Sequence, residues 1–132
     1  MATDMNSLEQ KYRARTTASK KLSDTASKFL PGGVAANGKY LPPYPIYMIG
    51  GQGAGMVDVD GNKYLDLLMG AGVHILGHSP ERVLKAVHQQ IDIGVHYYLP
   101  AEAEVKLGEK VTQLMPSVQM VRFLNSGSES TL

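Results

Sequence analysis

Cysteine is missing from this 132-residue chain, which removes a disulfide framework, a thiolate zinc site and a cysteine nucleophile together. No apolar run comes near the roughly 20 residues needed to cross a bilayer, so no membrane span is expected. The opening, M-A-T-D-M-N-S-L-E-Q-K-Y-R-A-R, has no apolar stretch of the secretory-signal kind. Lys11, Arg13, Arg15, Lys20 and Lys21 among serines and threonines resemble a transit peptide, but Asp4 and Glu9 are out of place in one. A solvated helical lead-in and a cytoplasmic location are the expectation. An excess of either charge is lacking too: 13 Lys and Arg against 12 Asp and Glu leave a net +1. Neither a basic stripe for nucleic acid nor an acidic tail for disorder is present. Repeats and low-complexity tracts are absent. The length suffices for one small domain with its own core.

What is present reads in three parts. Residues 1–18 form a polar lead-in, expected to be loosely held. The second part covers 19–78. Over 19–30, Leu22, Ala26, Phe29 and Leu30 fall on one helical face, and Pro31-Gly32-Gly33 ends the helix. Residues 31–45 hold four prolines and three glycines, so they form a long ordered loop or a linker. A loop lying over a site and a plain connector both stand. Strands are predicted over 46–49, 55–59 and 63–67, the last two joined by Asp60-Gly61-Asn62, a hairpin signal. The string from Asp58 to Asn62 resembles the opening of a calcium loop. Its twelfth position falls on Met69 where a Glu is needed, so it predicts a turn. His74 and His78 are four apart in a stretch, 70–78, whose glycines oppose a helix that would align them. With no acidic residue close by, a metal site is not expected there, and the small residues predict a close-packed loop with room beside it for a chain or a ligand.

The third part covers 79–132. Ser79 is a good N-cap with Pro80 at the first helical position, and Val83, Val87 and Ile91 stripe a helix that closes near Gly94. A second helix is predicted over 101–114, with Ala103, Leu107, Val111 and Leu114 inward and Glu102–Lys106 a surface pair. Gly108 inside it costs up to about 1 kcal/mol against Ala, which predicts a close helix contact. Between the helices, residues 96–100 expose aromatic and polar groups, for binding or for packing. Pro116 ends the second helix.

The last stretch, 119–132, organises the rest. Met120, Val121, Phe123 and Leu124 make a nearly continuous apolar run, the pattern of a strand buried on both faces in a parallel sheet. Asn125-Ser126-Gly127-Ser128 breaks the run with turn formers, and 129–132 read as the first turn of a helix. Strand, small loop and helix start make an anion site: unpaired N–H groups point outward, the helix dipole adds partial positive charge, and Gly127 admits a phosphate closely. The same pattern occurs in α/β proteins with no ligand. One parallel strand cannot make a sheet, so the chain reads as an unfinished α/β fold.

Taken in order, Pro31-Gly32-Gly33-Val34, the hairpin over 58–66, Ile75-Leu76-Gly77-His78 and the run 120–129 resemble the N-terminal part of class III (ω-type) aminotransferases. These are fold type I pyridoxal 5'-phosphate enzymes, and the glutamate-1-semialdehyde aminomutase-like branch is the nearest. The resemblance starts at about Ser19. It implies an α/β fold in which 19–78 supply a small antiparallel sheet and helices, and 79–132 begin the large, mainly parallel-sheet domain. It implies that Ser126, Gly127 and Ser128 hold the cofactor phosphate, with Ser128 keeping the hydroxyl of the family's usual Thr. Where the aminomutase branch places a Ser and an Arg for the substrate carboxylate stand Ala36 and Lys39, and Lys keeps the charge without the planar fork. Ala71 stands where an aromatic is usual. These departures weigh against an aminomutase and toward a relative acting on another substrate.

The resemblance further implies transfer of an amino group from a small-molecule amino donor to a keto acid or aldehyde acceptor, by a homodimer. The family's cofactor-carrying lysine, the acidic partner of the ring nitrogen and the stacked aromatic match nothing here. No catalytic residue is therefore assigned, and these 132 residues alone are expected to be inactive, as a truncated N-terminal portion. Two other readings stand beside this one. One is a non-catalytic fragment binding a phosphorylated ligand through Ser126–Ser128. The other is a remnant whose exposed apolar edge prevents folding.

Overall fold

The computed structural model describes residues 5–132. These residues form two compact units, divided between Ala86 and Val87. The first begins with α1 (Met5–Arg15) and α2 (Thr17–Ala26). From Met5 on, the lead-in expected to be loosely held is helical and tied down, while residues 1–4 of it lie outside the described residues. The Tyr12 hydroxyl donates to the Tyr44 carbonyl, the two rings lie 5.2 Å apart, and buried Thr16 bonds the Tyr44 hydroxyl at 3.0 Å. Asn62 adds a bond from its amide to the Arg15 carbonyl at 2.8 Å.

The second helix starts two residues earlier than its apolar periodicity suggests and leaves the helical path after Ala26. Its start is set from outside: the Asp60 carboxylate accepts from Ala18 N–H (2.6 Å), Ser19 N–H (3.0 Å) and the Ser19 hydroxyl (2.8 Å). A carboxylate there satisfies orphan donors and faces the positive end of the helix dipole. The face turned inward carries Ser19 and Ser23, while Phe29 is 79% exposed. Pro31–Gly33 then makes a short 3-10 turn, and Asn37–Lys39 a second one.

Three antiparallel strands follow in the order β1 (Met48–Gln52), β2 (Gly55–Asp58) and β3 (Lys63–Leu65). The hairpin between the last two is the expected one, with Gly61 at φ +82°. Its anchor is Asp58, fully buried, accepting from the backbone N–H of Asp60 and Asn62, the Asn62 amide and the Tyr64 hydroxyl at 2.7–2.9 Å. The first strand lies two residues beyond its predicted start because pairing runs through Gly50 and Gly51 to Val57 and Met56. A backbone ladder asks for no side chain, and Gly51 has a further use: a Cβ there would sit 2.7 Å from the His78 ring.

The second unit holds the end of α3 (Glu81–Ile93), α4 (Glu102–Leu114) and α5 (Gly127–Thr131). The third helix closes at Gly94 as expected. It is not capped by Ser79, which adopts φ +53° and donates its hydroxyl to the Gly51 carbonyl instead. In the fourth helix the Lys106–Glu102 pair forms at 2.7 Å, and Ala101 N–H donates to Glu104. Gly108 makes no close helix contact; a Cβ there would meet only Val121, at 3.7 Å. Residues 120–124 form no strand, and Met120 is 90% exposed. With no neighbouring strand to bond to, the apolar run has no ladder. The core expected from length does not close either. Among the described residues Tyr44 is the one large hydrophobic side chain that is buried, and the other buried side chains are mainly polar.

Candidate functional site

In the second unit, Ser126, Gly127 and Ser128 open α5. Ser126 is its N-cap: the hydroxyl accepts from Glu129 N–H at 3.3 Å and donates to the Glu129 carboxylate at 2.9 Å. The N–H groups of Gly127 and Ser128 belong to the first turn and have no intrahelical acceptor. The Ser128 hydroxyl makes no hydrogen bond among the described residues. A Cβ at Gly127 would meet nothing within 4 Å, so the space before the loop is open. Two backbone donors, one uncommitted hydroxyl and open space suit a phosphate oxygen. The Ser126 hydroxyl joins that set only by releasing Glu129.

The other candidate residues lie in the first unit. Ala36 precedes the second 3-10 turn and Lys39 is its last residue, with Lys39 N–H donating to the Ala36 carbonyl at 2.9 Å. Lys39 lies on the wall of a cleft of about 700 Å³ formed by the end of α2, the 33–41 loop and the lead into β1. Ala36 is exposed and is not on that wall. Ala71 sits at φ +60° in a tight loop, where Gly72 N–H and His74 N–H both reach the Met69 carbonyl. It does not line the cleft either.

Comparison with known proteins follows this geometry. The family described as aminotransferase class-III matches residues 36–132. The chain belongs to the class-III aminotransferase family. The glutamate-1-semialdehyde 2,1-aminomutase of Methanococcoides burtonii is 43% identical over 114 residues, 86% of this chain and 27% of that protein. The crystal structure of an omega-transaminase from Sphaerobacter thermophilus superposes with a TM-score of 0.86 at 39% identity, over 91% of this chain and 27% of the other. A transaminase with pyridoxal phosphate bound gives 0.85 at 31% identity, over 88% and 27%. The fold is therefore that of the N-terminal portion of a fold type I transaminase. The chain spans about a quarter of the length of these relatives.

For this class-III aminotransferase chain, one constellation escaped sequence reasoning. His78 Nε2 lies 2.7 Å from Asp66 Oδ2, both largely shielded, although no acidic residue was expected near the histidines. Asp66 also accepts from the N–H groups of Leu68 and Met69, at 2.8 and 2.9 Å. The Met69 N–H, with His78 next, holds the Asp66 carboxyl below its ordinary range against burial. The His74 ring lies beside that of His78, with centroids 4.6 Å apart and planes tilted by 42°. The backbone of His78 exchanges both hydrogen bonds with Gly53. The pair thus ties the glycine-rich loop to the sheet. Among the described residues no group of three or more His, Cys, Asp and Glu is placed to hold a metal. A twelve-residue separation hid the contact.

Proposed function

We propose that this chain supplies the phosphate-holding loop, and part of the substrate side, of a pyridoxal phosphate-dependent aminotransferase. The enzyme would move an amino group between an amino acid or amine and a keto acid or aldehyde. The observation that carries the reading is the opening turn of α5, with its two unpartnered N–H groups, the uncommitted Ser128 hydroxyl and the open space at Gly127. Family membership supports it. Pyridoxal phosphate, when bound, supplies the electron sink for amino-group exchange. This chain's groups bind and orient. Ser126, Gly127 and Ser128 would hold the phosphate, and Lys39 would pair with the substrate carboxylate, while Ala36 and Ala71 offer room instead of polar contacts. None of its lysines is assigned the cofactor-carrying role. The working enzyme in this reading is a cytoplasmic homodimer.

Titration with pyridoxal phosphate, followed by the cofactor's absorbance, tests the reading. Ser128→Ala should weaken binding by about tenfold, the scale of one charge-assisted hydrogen bond. An unchanged affinity overturns the assignment.

The relatives named glutamate-1-semialdehyde 2,1-aminomutase support a second reading, an aminomutase. Ala36 and Lys39 weigh against it. Turnover of glutamate-1-semialdehyde with no added donor or acceptor would decide for it.

A further inference from the structure

We propose that Asn37-Gly38 is a self-modifying site, at which the Gly38 backbone nitrogen attacks the Asn37 side-chain amide and converts the asparagine to aspartate and isoaspartate. The proposal stands apart from the phosphate loop and from the role given to Lys39. An asparagine or aspartate followed by glycine is best able to close such a ring, because glycine sets no Cβ beside the attacking nitrogen and leaves its backbone free. The chain holds two such pairs, Asn37-Gly38 and Asp60-Gly61. Sequence marks both, and the structure separates them.

Asp60 is held. Its carboxylate accepts from Ala18 N–H, Ser19 N–H and the Ser19 hydroxyl, and Gly61 N–H donates to the Asp58 carbonyl at 3.0 Å. At Asn37 both reacting groups are free. The residue is exposed, its side-chain amide makes no hydrogen bond, and Gly38 N–H has no acceptor among the described residues. A Cβ at Gly38 would meet nothing within 4 Å, so the ring has room to close. The turn around the pair rests on Lys39 N–H to the Ala36 carbonyl and Tyr40 N–H to the Asn37 carbonyl, at 2.9 and 3.0 Å, all between exposed residues. A short 3-10 turn of this kind opens at little cost.

In the first step the Gly38 nitrogen bonds to Asn37 Cγ and the Cγ–Nδ2 bond breaks. The amide nitrogen leaves as ammonia, taking the Gly38 N–H proton. Water then opens the cyclic imide. Addition at Cγ breaks the new bond and leaves an aspartate. Addition at the Asn37 carbonyl carbon breaks its bond to Gly38 and routes the main chain through Cγ, which is isoaspartate. Either product takes the net charge from +1 to zero and sets a carboxylate close to Lys39 in the chain. Isoaspartate also takes the Asn37 carbonyl out of the main chain, and that carbonyl is the acceptor for Tyr40 N–H.

Warm incubation of the 132-residue chain just above neutral pH, followed by trypsin under mildly acidic conditions and mass spectrometry, tests the proposal. Tryptic peptides 29–39, 40–63 and 123–132 carry Asn37, Asn62 and Asn125 separately. Peptide 29–39 should be the first to gain the mass difference between asparagine and aspartate, and should resolve into two products of equal mass. Its rate in native buffer should lie within about tenfold of its rate in urea, whereas isomerisation at Asp60 should be at least about thirtyfold slower in the native chain than in urea. Gly38→Ala should slow conversion by about tenfold or more, since a Cβ crowds the attacking nitrogen. Asn37→Gln, whose longer side chain closes the ring poorly, should stop it and leave the melting temperature unchanged. Conversion led by Asn62 or Asn125, a rate at Asn37 that climbs further than that on unfolding, equal protection of Asn37 and Asp60, or indifference to Gly38→Ala would each overturn the proposal.

Discussion

The Asp60 carboxylate lies 2.8 Å from the Ser19 hydroxyl, 41 residues earlier in the chain, so a hairpin turn caps the start of α2. The formal cap residue, Thr16, makes no side-chain cap bond. The first turn of α2 therefore depends on Asp60.

Asp60→Ala should fray that turn, seen as faster amide hydrogen exchange in the opening residues of the helix and a lower melting temperature. Asp60→Asn, which keeps one acceptor, should fall between. Unchanged exchange at Ala18 and Ser19 would mean that the carboxylate is incidental.

Acid should undo the same corner. Burial pushes the Asp58 carboxyl up, but bonds from the Asn62 and Tyr64 side chains and the N–H groups of Asn62 and Asp60 outweigh it, leaving the group below its ordinary 3.8. The unfolded chain then binds the proton first as pH falls. The stabilisation is complete well above 3.8 and is lost as pH drops through the lower folded value. Asp66 is held down in the same sense. Melting temperature should be level near neutrality and fall below about pH 4. At the alkaline end Tyr64, pushed up to about 12 by burial and then by Asp58, gives up its contribution between its ordinary 10.0 and that value. Asp58→Asn should cost about 1–3 kcal/mol in urea unfolding and flatten the acid limb, since one of its donors loses an acceptor. Stability that rose on acidification would contradict the assignment.

Gly77 offers a steric test. It sits at φ +81°, and a Cβ there would lie 2.9 Å from the Gly53 carbonyl oxygen and 3.0 Å from two more backbone atoms. Gly53 cannot retreat, because its N–H and carbonyl are both bonded to His78. Gly77→Ala should cost about 1–3 kcal/mol. Gly38→Ala, with open space and no left-handed backbone, should be neutral or gain up to about 1 kcal/mol. Equal effects in urea unfolding would refute the contrast.

Local signals were legible in the sequence, and distant ones were not. Asp60-Gly61-Asn62 makes its turn because the bonds that fix it span two to six residues around Asp58. The closing of α3 at Gly94 is local in the same way. Ser79 looked like a cap because its neighbours suit one, yet its hydroxyl is claimed by Gly51, 28 residues back. The start of α2 was misplaced because its cap comes from Asp60, and the Asp66–His78 pair was missed for the same reason. The apolar run 120–124 has the composition of a buried strand, but composition supplies no partner. The opening of α5, proposed above to hold a phosphate, was legible as turn formers before a helix start. The competition between Glu129 and an anion for Ser126 was not.

That competition separates two serines that sequence treats alike. Ser126 accepts from Glu129 N–H and donates to the Glu129 carboxylate, so it both starts α5 and holds an acid at the mouth of the loop. Ser126→Ala should remove a cap worth about 1 kcal/mol and expose Glu129 N–H to faster hydrogen exchange. It should also weaken pyridoxal phosphate binding, because the first turn that presents the N–H groups is less often formed. Ser128→Ala removes no side-chain hydrogen bond among the described residues and should weaken cofactor binding with exchange at Glu129 unchanged. Glu129→Gln should act the other way on affinity, removing a negative charge from the neighbourhood of a phosphate dianion. If both serine variants changed exchange and affinity together, Ser128 would be a structural residue like Ser126, and the phosphate would rest on backbone N–H groups alone.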